Sequence, residues 1–372
     1  MNIARIIILR PDNIGDVVLF SGALQHIRSL YPEAHITLAV QAHIINLVEL
    51  CPYIDACVPV NKLTWWGKIE NFKFPVKHKL EKAIHSVNRL WNIIAKPFDI
   101  IIFPVKSPSV DHLKTVYCMH PKKTYGIIGC SLCAPKSGYP PGLSPETLFT
   151  QYLDVSKIDT WQHELLTTLA FLRFMGCHVT NIDDIKPRFW LADSDKNYLD
   201  GLQRKGRKII GLFPGASFEG RRWESSYYGK LTSMLGGQPL YAIFGSHSDM
   251  ELSERVVLSI RDDCDDVEML NLTGQTTLRE LARSIMSCDL LISMDTSGLH
   301  IAIAVGVATI GIVGGGHFGR FVPWGDAKTN VFLTNELECF HCNWACTKHE
   351  VECINGVSPY DVMCAAKKLL YS

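Results

Sequence analysis

The sequence lacks long hydrophobic runs and has no excess of charge of either sign. No uninterrupted apolar stretch reaches the roughly 18–20 residues that a transmembrane helix requires. The apolar run near the N-terminus, in IARIIIL, is too short for a signal-peptide core, and no small-residue cleavage site follows it. The 37 basic residues balance the 37 acidic ones, so no overall positive field favours nucleic acid as a partner. We therefore expect a soluble, cytoplasmic protein that does not bind nucleic acid.

Two common nucleotide-binding signatures are also missing. No G-x-G-x-x-G follows the first strand-like run, which argues against an NAD-linked oxidoreductase of the Rossmann type. The glycine-containing stretch PGAS (214–217) lacks the G-K-[ST] ending of a Walker P-loop. At the first of these places the chain instead carries a carboxylate, Asp16, where a dinucleotide-binding fold would hold a pyrophosphate.

The length and the alternation of patterns predict two α/β domains. A chain of 372 residues is long for one hydrophobic core. Short runs rich in Ile, Val and Phe alternate with helical periods in both halves, which indicates βαβ units and parallel sheets. The predicted strands are 6–9, 36–40, 56–60, 99–103 and 124–128 in the first half, then 209–213, 240–244, 268–270, 290–294 and 308–313.

The predicted helices complete this pattern and suggest where the domains end. The clearest helical spacing covers 80–94, and others lie near 226–235, 277–287 and 297–305. A charged stretch at 183–208 separates the halves, so we place domains at 1–190 and 191–355. A last helix, within 356–372, is expected to pack back toward the N-terminal domain. Two consecutive doubly wound domains predict a ligand cleft between the carboxyl ends of their sheets.

The junction RPDNIGDVVLF (10–20) places two carboxylates where a buried strand gives way to a helix. Gly15 suits a tight strand-to-helix turn, and Asp16 lies at the helix start, where the helix dipole favours its ionised form. Asp12 is interpreted as a turn residue that shapes the loop. The two carboxylates are therefore not expected to act as an acid/base pair.

A second motif, FPGASFEGRRWE (213–224), follows the first strand of the second half. Gly215 lets a ligand approach the backbone, Ser217 offers a hydroxyl, and Arg221 or Arg222 can hold a phosphate through a planar guanidinium fork. The alternative interpretation is a tight turn with solvated arginines.

A third motif, MDTSGLH, follows the predicted strand at 290–294. Asp295 ends the strand, and Thr296, Ser297 and Gly298 open a helix whose first amides form a ready anion site. The alternative is that Asp295 or Thr296 simply caps the helix. His300 is equally compatible with a satisfied core histidine and with a ligand contact.

With FGSHSDMEL (244–252) and CFHCNWACTKHEVECINGVSPYDV (339–362), these motifs resemble glycosyltransferase family 9, the ADP-heptose:lipopolysaccharide heptosyltransferases. The resemblance extends over nearly the whole chain. It implies the glycosyltransferase-B fold, two Rossmann-like doubly wound domains facing across a cleft. The first domain would bind the acceptor and the second the nucleotide sugar, and catalysis would require no cofactor.

The resemblance also implies a reaction and a catalytic residue. Asp16 corresponds to the catalytic aspartate, the general base for the acceptor hydroxyl. The reaction would be an inverting transfer of heptose from ADP-heptose to a lipopolysaccharide core or a related lipid-linked or glycan acceptor. The alternatives are the same fold with another nucleotide sugar or a protein acceptor, and a non-catalytic module that binds a sugar nucleotide.

Further roles follow from the resemblance at positions that match the family's motifs. Arg221 would face the donor diphosphate, and the phosphate-binding turn would comprise Thr296, Ser297 and Gly298. Asp249 or Glu251 corresponds to the acidic residue near the donor ribose. The set expected to bind donor phosphate is Ser217, Arg221, Thr296, Ser297 and Gly298, and the set expected to shape the site is Asp12, Gly15, Gly215, Asp295 and His300. The family commonly has Asp-Thr-Gly, whereas this chain has Asp-Thr-Ser-Gly, so its glycine is shifted by one position.

Two further features carry open interpretations. The segment 61–79 interleaves aromatic residues and lysines, which suits contact with a lipid-linked acceptor or the inner face of the inner membrane. The alternative is an insertion that packs its aromatics beneath solvated lysines.

Four cysteines, Cys339, Cys342, Cys346 and Cys353, have the spacing C-x2-C-x3-C-x6-C, which suits a structural Zn or Fe ion. Related autotransporter heptosyltransferases use a cysteine-bound iron structurally, and the alternative is reduced, packed thiols.

Overall fold

The computed structural model describes residues 4–60, 97–106, 108–130, 139–159, 161–264, 266–348 and 350–371. The predicted helix at 80–94 and the aromatic, basic segment at 61–79 lie outside the described residues. The chain divides into two compact units, Met1–Pro187 and Arg188–Ser372.

The first unit is built on a parallel sheet. Its strands are β1 Arg5–Arg10, β2 His35–Val40, β3 Ala56–Pro59, β4 Ile100–Phe103, β5 Lys123–Ile128 and β6 Gln151–Asp154. Its described helices include α1 Ile14–Phe20, α2 Leu24–Leu30, α3 Ile45–Val48, α4 Val110–Met119, α5 Pro145–Leu148 and α6 Glu164–Met175. The strand order is β3-β2-β1-β4-β5-β6, so the chain reverses direction across the sheet between β1 and β4. This order is that of a doubly wound Rossmann sheet.

The second unit repeats this architecture. Its strands are β7 Ile209–Phe213, β8 Leu240–Ile243, β9 Met269–Asn271, β10 Leu290–Met294, β11 Thr309–Ile312 and β12 Asn330–Leu333. Its helices include α7 Ser225–Leu235, α8 Met250–Asp263, α9 Leu278–Ile285, α10 Ser297–Ala304, α11 Glu352–Asn355 and α12 Pro359–Tyr371. The order β12-β11-β10-β7-β8-β9 places the switch point between β7 and β10.

The degree of burial explains why some strands can be recognised from the sequence and others cannot. Ile6 to Leu9 of β1 are almost fully buried, as expected for a parallel strand covered on both faces. All ten predicted strands are present within a residue or two of their expected ends. The two strands that were not predicted, β6 and β12, lie at sheet edges, and β6 (QYLD) has mostly exposed side chains. A partly exposed edge strand does not need a continuous apolar run, so the signal that identifies the others is missing.

The final helix packs within its own unit. We expected it to pack back toward the N-terminal domain. Val362, Ala366 and Leu370, spaced one helical turn apart, are instead buried in the core of the second unit. The indole nitrogen of Trp223 donates a hydrogen bond of 2.9 Å to the carbonyl of Val357, just before this helix. The apolar stripe of the helix is therefore used to complete the second core.

Candidate active site

In each unit, predicted site residues follow strands at the switch point of the sheet. In the first unit they lie in the loop from β1 to α1, and in the second they follow β7 and β10. The carboxyl ends of parallel strands at a switch point are where doubly wound sheets bind ligands.

Asp16 lies in the first turn of α1 and is partly buried. The N-cap residue, Asn13, makes no side-chain capping hydrogen bond, so the carboxylate stands at a helix start where the dipole favours negative charge. Gly15 lies inside this helical turn, so the strand-to-helix turn itself is formed by the residues before α1. The first unit thus places the Asp16 carboxylate close to the carboxyl end of its central strand.

Arg10 anchors this loop, and the sequence analysis did not single it out. It is a buried arginine at the end of β1, and its Nη1 donates a hydrogen bond of 2.6 Å to the carbonyl of Pro104. Its Nη2 lies 2.7 Å from Asp12 Oδ2 and 3.1 Å from the backbone carbonyl oxygen of Asp16. Asp12 is therefore paired with Arg10 within the loop. The sequence could have indicated Arg10, because a charged residue that directly follows a run of apolar Ile and Leu residues is expected to have a buried partner.

In the second unit the structure distinguishes two adjacent arginines. Arg221 reaches from the loop after β7 to the end of β10, where its Nη2 donates to the backbone carbonyl of Asp295 and lies 3.2 Å from Asp295 Oδ2. The Asp295 side chain is only 7% exposed. Arg222 instead closes its own loop, because its Nε donates a hydrogen bond of 3.1 Å to the carbonyl of Ala216. Only Arg221 is brought beside the predicted phosphate-binding turn.

The first turn of α10 receives no side-chain cap from its N-cap residue. Its N-cap residue, Thr296, makes no side-chain capping hydrogen bond, and its hydroxyl points back to the carbonyl of Met294 at 3.4 Å. The interpretation that Thr296 simply caps this helix is therefore wrong. The first amides of α10, at Ser297 and Gly298, lie next to Asp295, which holds Arg221.

Gly298 has a packing role of its own. A Cβ added at this position would overlap the ring of Phe213 on β7. The glycine therefore lets the first turn of α10 lie directly on the central strand. This close approach sets the position of the helix start relative to the loop that carries Arg221.

Gly298→Ala is expected to destabilise the protein by about 1–3 kcal/mol, because the added methyl group overpacks a dense contact. The sign is informative, since an exposed helical Gly→Ala change stabilises by up to about 1 kcal/mol. Urea unfolding of the wild type, Gly298→Ala, Phe213→Ala and the double variant measures the effect. The penalty of the Gly298→Ala change should disappear in the Phe213→Ala background, and an undiminished penalty there would rule out the Phe213 contact as its cause.

His300 is held as a buried side chain in the second core. The Trp324 indole nitrogen donates a hydrogen bond of 3.0 Å to His300 Nδ1, and the two rings stack. A neutral imidazole that accepts at Nδ1 carries its proton on Nε2, which lies 3.9 Å from Asp295 Oδ1. This geometry favours the core interpretation over a direct ligand contact.

The two acidic residues expected near the donor ribose occupy different surroundings. Asp249 is buried, and its Oδ2 accepts hydrogen bonds of 2.9 and 2.6 Å from the backbone amide and the hydroxyl of Ser246. A Cβ at Gly215 would lie 2.5 Å from Asp249 Cγ, so Gly215 brings its loop onto this carboxylate. Glu251, by contrast, is 87% exposed and pairs with Arg255 at 2.6 Å. Ser217 is exposed at the outer end of the Gly215 loop.

The four C-terminal cysteines line one pocket with Phe340 and Trp344. All four are free thiols. Burial raises the pKa of the Cys353 thiol above its ordinary value, and its three cysteine neighbours add to this rise in pKa, against a hydrogen bond from the Gly315 backbone. Within the described ranges, no three Cys, His, Asp or Glu side chains are arranged to hold a metal ion. The chemistry of the donor set fits Zn²⁺ or iron, whereas the present arrangement of the thiols does not.

A loop after β11 contributes groups that the sequence analysis missed. His317 Nε2 lies 2.6 Å from Asn343 Oδ1. The pKa of His317 is lowered, chiefly by burial and further by the positive charges of Arg320 and Arg221, while Asn343 and Asp295 oppose the shift. His317 is therefore neutral near pH 7. It lies close enough to Arg221 and Asp295 for their charges to affect its pKa.

Comparison with known proteins identifies similar chains. Residues 135–349 match the family model described as glycosyltransferase family 9 (heptosyltransferase). A lipooligosaccharide heptosyltransferase 2 of Campylobacter jejuni is 28% identical over 212 residues, which are 56% of this chain and 64% of that protein. The match thus spans just under two thirds of that relative. A lipooligosaccharide heptosyltransferase 2 of Haemophilus ducreyi is 32% identical over 314 residues, 81% of this chain and 80% of the relative.

The fold has a counterpart among solved structures. The structure of Escherichia coli ADP-heptose lps heptosyltransferase II superposes with a TM-score of 0.67, at 17% identity, over 98% of both chains. At this identity the likeness concerns the fold. It confirms the expected glycosyltransferase-B architecture of two Rossmann-like domains.

Proposed function

The chain belongs to glycosyltransferase family 9, and we propose that it transfers a heptose from ADP-heptose to a lipopolysaccharide core or a related cell-surface acceptor, with inversion at the anomeric carbon. One observation carries the donor half of this proposal: Arg221, Asp295 and the uncapped start of α10 lie together at the switch point of the second sheet. A guanidinium and free helix amides are the groups that bind a diphosphate.

The proposed chemistry assigns one role to residues of the first unit and another to residues of the second. The acceptor hydroxyl oxygen attacks the anomeric carbon, its proton passes to the carboxylate of Asp16, and the bond from the sugar to the nucleoside diphosphate breaks. A positioned base contributes about 10²- to 10⁴-fold to such a step. Arg221 and the amides of residues 296–298 would stabilise the charge that develops on the departing diphosphate. No step in this scheme requires a cofactor.

The nucleoside-binding role remains a proposal for Asp249 or Glu251. Asp249 has the better position, since it lies under Gly215 in the loop that leads to Arg221. Glu251 lies on the solvent-exposed side of α8 and already pairs with Arg255.

A panel of nucleoside diphosphates in thermal-shift measurements tests the donor. A ligand at 100 times its Kd adds about 2.7 kcal/mol to the free energy of unfolding. We expect ADP to raise the melting temperature more than UDP, GDP or CDP at equal concentration. A larger shift with another diphosphate would favour a different nucleotide sugar, and an ADP shift without turnover of ADP-heptose by any acceptor would favour a non-catalytic binding module.

We also propose a structural Zn or Fe ion at Cys339, Cys342, Cys346 and Cys353, supported by the four soft ligands that share a pocket. Binding would require the thiols to rotate toward one point. Elemental analysis of protein purified without chelator should find about one equivalent of metal, and the variant with all four cysteines changed to serine should have none. Less than a tenth of an equivalent in the wild type would leave reduced, packed thiols as the better description.

Contact with the inner membrane is a further proposal, and it concerns the segment 61–79. In the part of the chain that the structure describes, no helix combines the length and apolar character needed to cross a bilayer. The lysines and aromatic residues of the segment would instead suit a peripheral contact or the lipid-linked acceptor. Cosedimentation with anionic vesicles, compared with a variant in which these lysines are changed to glutamate, tests this proposal.

A further inference from the structure

A strained backbone segment, residues 341–344, lies between Cys339 and Cys346 and contains Cys342. His341, Asn343 and Trp344 all have positive φ angles, of 67°, 50° and 60°. Non-glycine residues rarely adopt this left-handed conformation, and for a bulky aromatic residue it is an outlier. Such strain persists only where the surroundings impose it, and it concentrates at functional sites. The contacts that impose this conformation are therefore relevant to function.

The segment is held by the glycine-rich loop after β11. The backbone amide of His341 donates to the carbonyl of Gly315 at 2.8 Å, and that of Asn343 donates to the carbonyl of Gly316 at 3.1 Å. The indole of Trp344 lies directly on this loop. A Cβ at Gly316 would be 2.5 Å from Trp344 Cδ2, and one at Gly314 would be 2.6 Å from Trp344 Cη2. Only glycines allow the ring to lie this close to the backbone.

Arg221 is another neighbour of the indole. The Cζ atom of Arg221 lies 5.1 Å from the centroid of the Trp344 ring, within the range of a cation–π interaction. The rings of Phe218 and His317 meet the same indole edge-on, at centroid distances of 6.2 and 5.9 Å. Trp344 thus connects the glycine loop to the arginine of the candidate donor site.

The hydrogen bonding of Arg221 leaves part of its guanidinium uncommitted. Its Nη2 serves the backbone carbonyl and the carboxylate of Asp295. Its Nε is buried and has no hydrogen-bond partner among the described residues, and the same holds for Nε1 of Trp344. Buried donors normally find a partner, so two orphaned donors in one cluster point to an acceptor that arrives with a ligand.

We propose that Trp344 is a positioning residue of the donor site, which holds the guanidinium of Arg221 so that its uncommitted edge meets the donor diphosphate. This inference rests on the proposed function, because it takes the ligand of Arg221 to be that diphosphate. The indole packs against the guanidinium, and Asp295 binds its Nη2 through the backbone carbonyl and the carboxylate. The cysteine-bearing segment then belongs to the donor site through its only tryptophan.

Two substitutions separate this role from general packing. Trp344→Leu is expected to weaken ADP binding and raise the donor KM by about tenfold, with the acceptor KM unchanged. Trp344→Phe, which keeps an aromatic face, is expected to recover most of the ADP affinity. Phe340→Leu serves as the matched control, since Phe340 packs on Gly315 of the same loop. It should leave ADP affinity as in the wild type. Calorimetric titration with ADP and initial rates measure these effects.

The outcomes also separate this inference from the proposed function. If Arg221→Ala binds ADP as tightly as the wild type, the proposed donor site is wrong. If Arg221→Ala loses ADP affinity but a folded Trp344→Leu does not, only the role of Trp344 is overturned. An equal loss of affinity in Phe340→Leu, or no recovery in Trp344→Phe, would also overturn it. In the Arg221→Ala background, Trp344→Leu should have little further effect on ADP affinity.

Discussion

Asp16→Asn is expected to lower kcat for glycosyl transfer by about 10²- to 10⁴-fold and to leave the affinity for ADP unchanged. Asparagine has nearly the shape of aspartate but cannot accept the proton of the acceptor hydroxyl. The loop should keep its conformation, because Arg10 binds the backbone carbonyl of Asp16 and the side chain of Asp12. The loss should therefore appear in kcat, measured from ADP release, and not in the melting temperature.

A matched control for this substitution exists in the same unit. Asp111 is also an acidic residue in the first turn of a helix, α4, and it is mostly exposed beside Lys114. Asp111→Asn should have wild-type turnover. Near-normal turnover in Asp16→Asn would remove Asp16 as the base, and a parallel loss of ADP affinity would assign it to donor binding instead.

Arg221→Ala is expected to lower kcat/KM for the donor by about 10²- to 10³-fold, because the charge developing on the departing diphosphate loses its main cationic partner. The substitution also leaves the Asp295 carboxylate, which is only 7% exposed, without its ion pair. Removing one partner of a buried pair costs up to about 3–5 kcal/mol, so the melting temperature should fall as well. Arg221→Lys keeps the positive charge but loses the planar fork, and we expect it to recover stability more than donor affinity.

The neighbouring arginine provides the control for this second prediction. Arg222 carries the same charge, yet its guanidinium closes its own loop at Ala216. Arg222→Ala removes the same positive charge from the loop as Arg221→Ala but leaves the contact with Asp295 intact. It should therefore retain donor kcat/KM within a few-fold of the wild type. Equal losses in the two variants would show that net charge, and not the geometry at Asp295, supports donor binding.

The architecture was largely readable from the sequence because it depends on local patterns. Runs such as IIIL in β1 and IIGLF in β7 must be strands buried on both faces, and they alternate with helices that require parallel sheets. The order of short motifs along the chain carried the family resemblance. The positions of Asp16 at a helix start and of Asp295 at a strand end followed from the same local logic.

Only the tertiary structure decided which side chains act together. Arg221 and Arg222 are adjacent and chemically identical, and the distinction between them comes from a partner 74 residues away. Trp344 lies among cysteines in a stretch that carries no strand or helix pattern, yet it packs on Arg221. The apolar stripe of the final helix could likewise pack against more than one surface, and only the structure shows that it packs in the core of the second unit. Local sequence determines which elements form, whereas contacts between distant segments arise from the packing of the whole unit, which no short stretch of residues encodes.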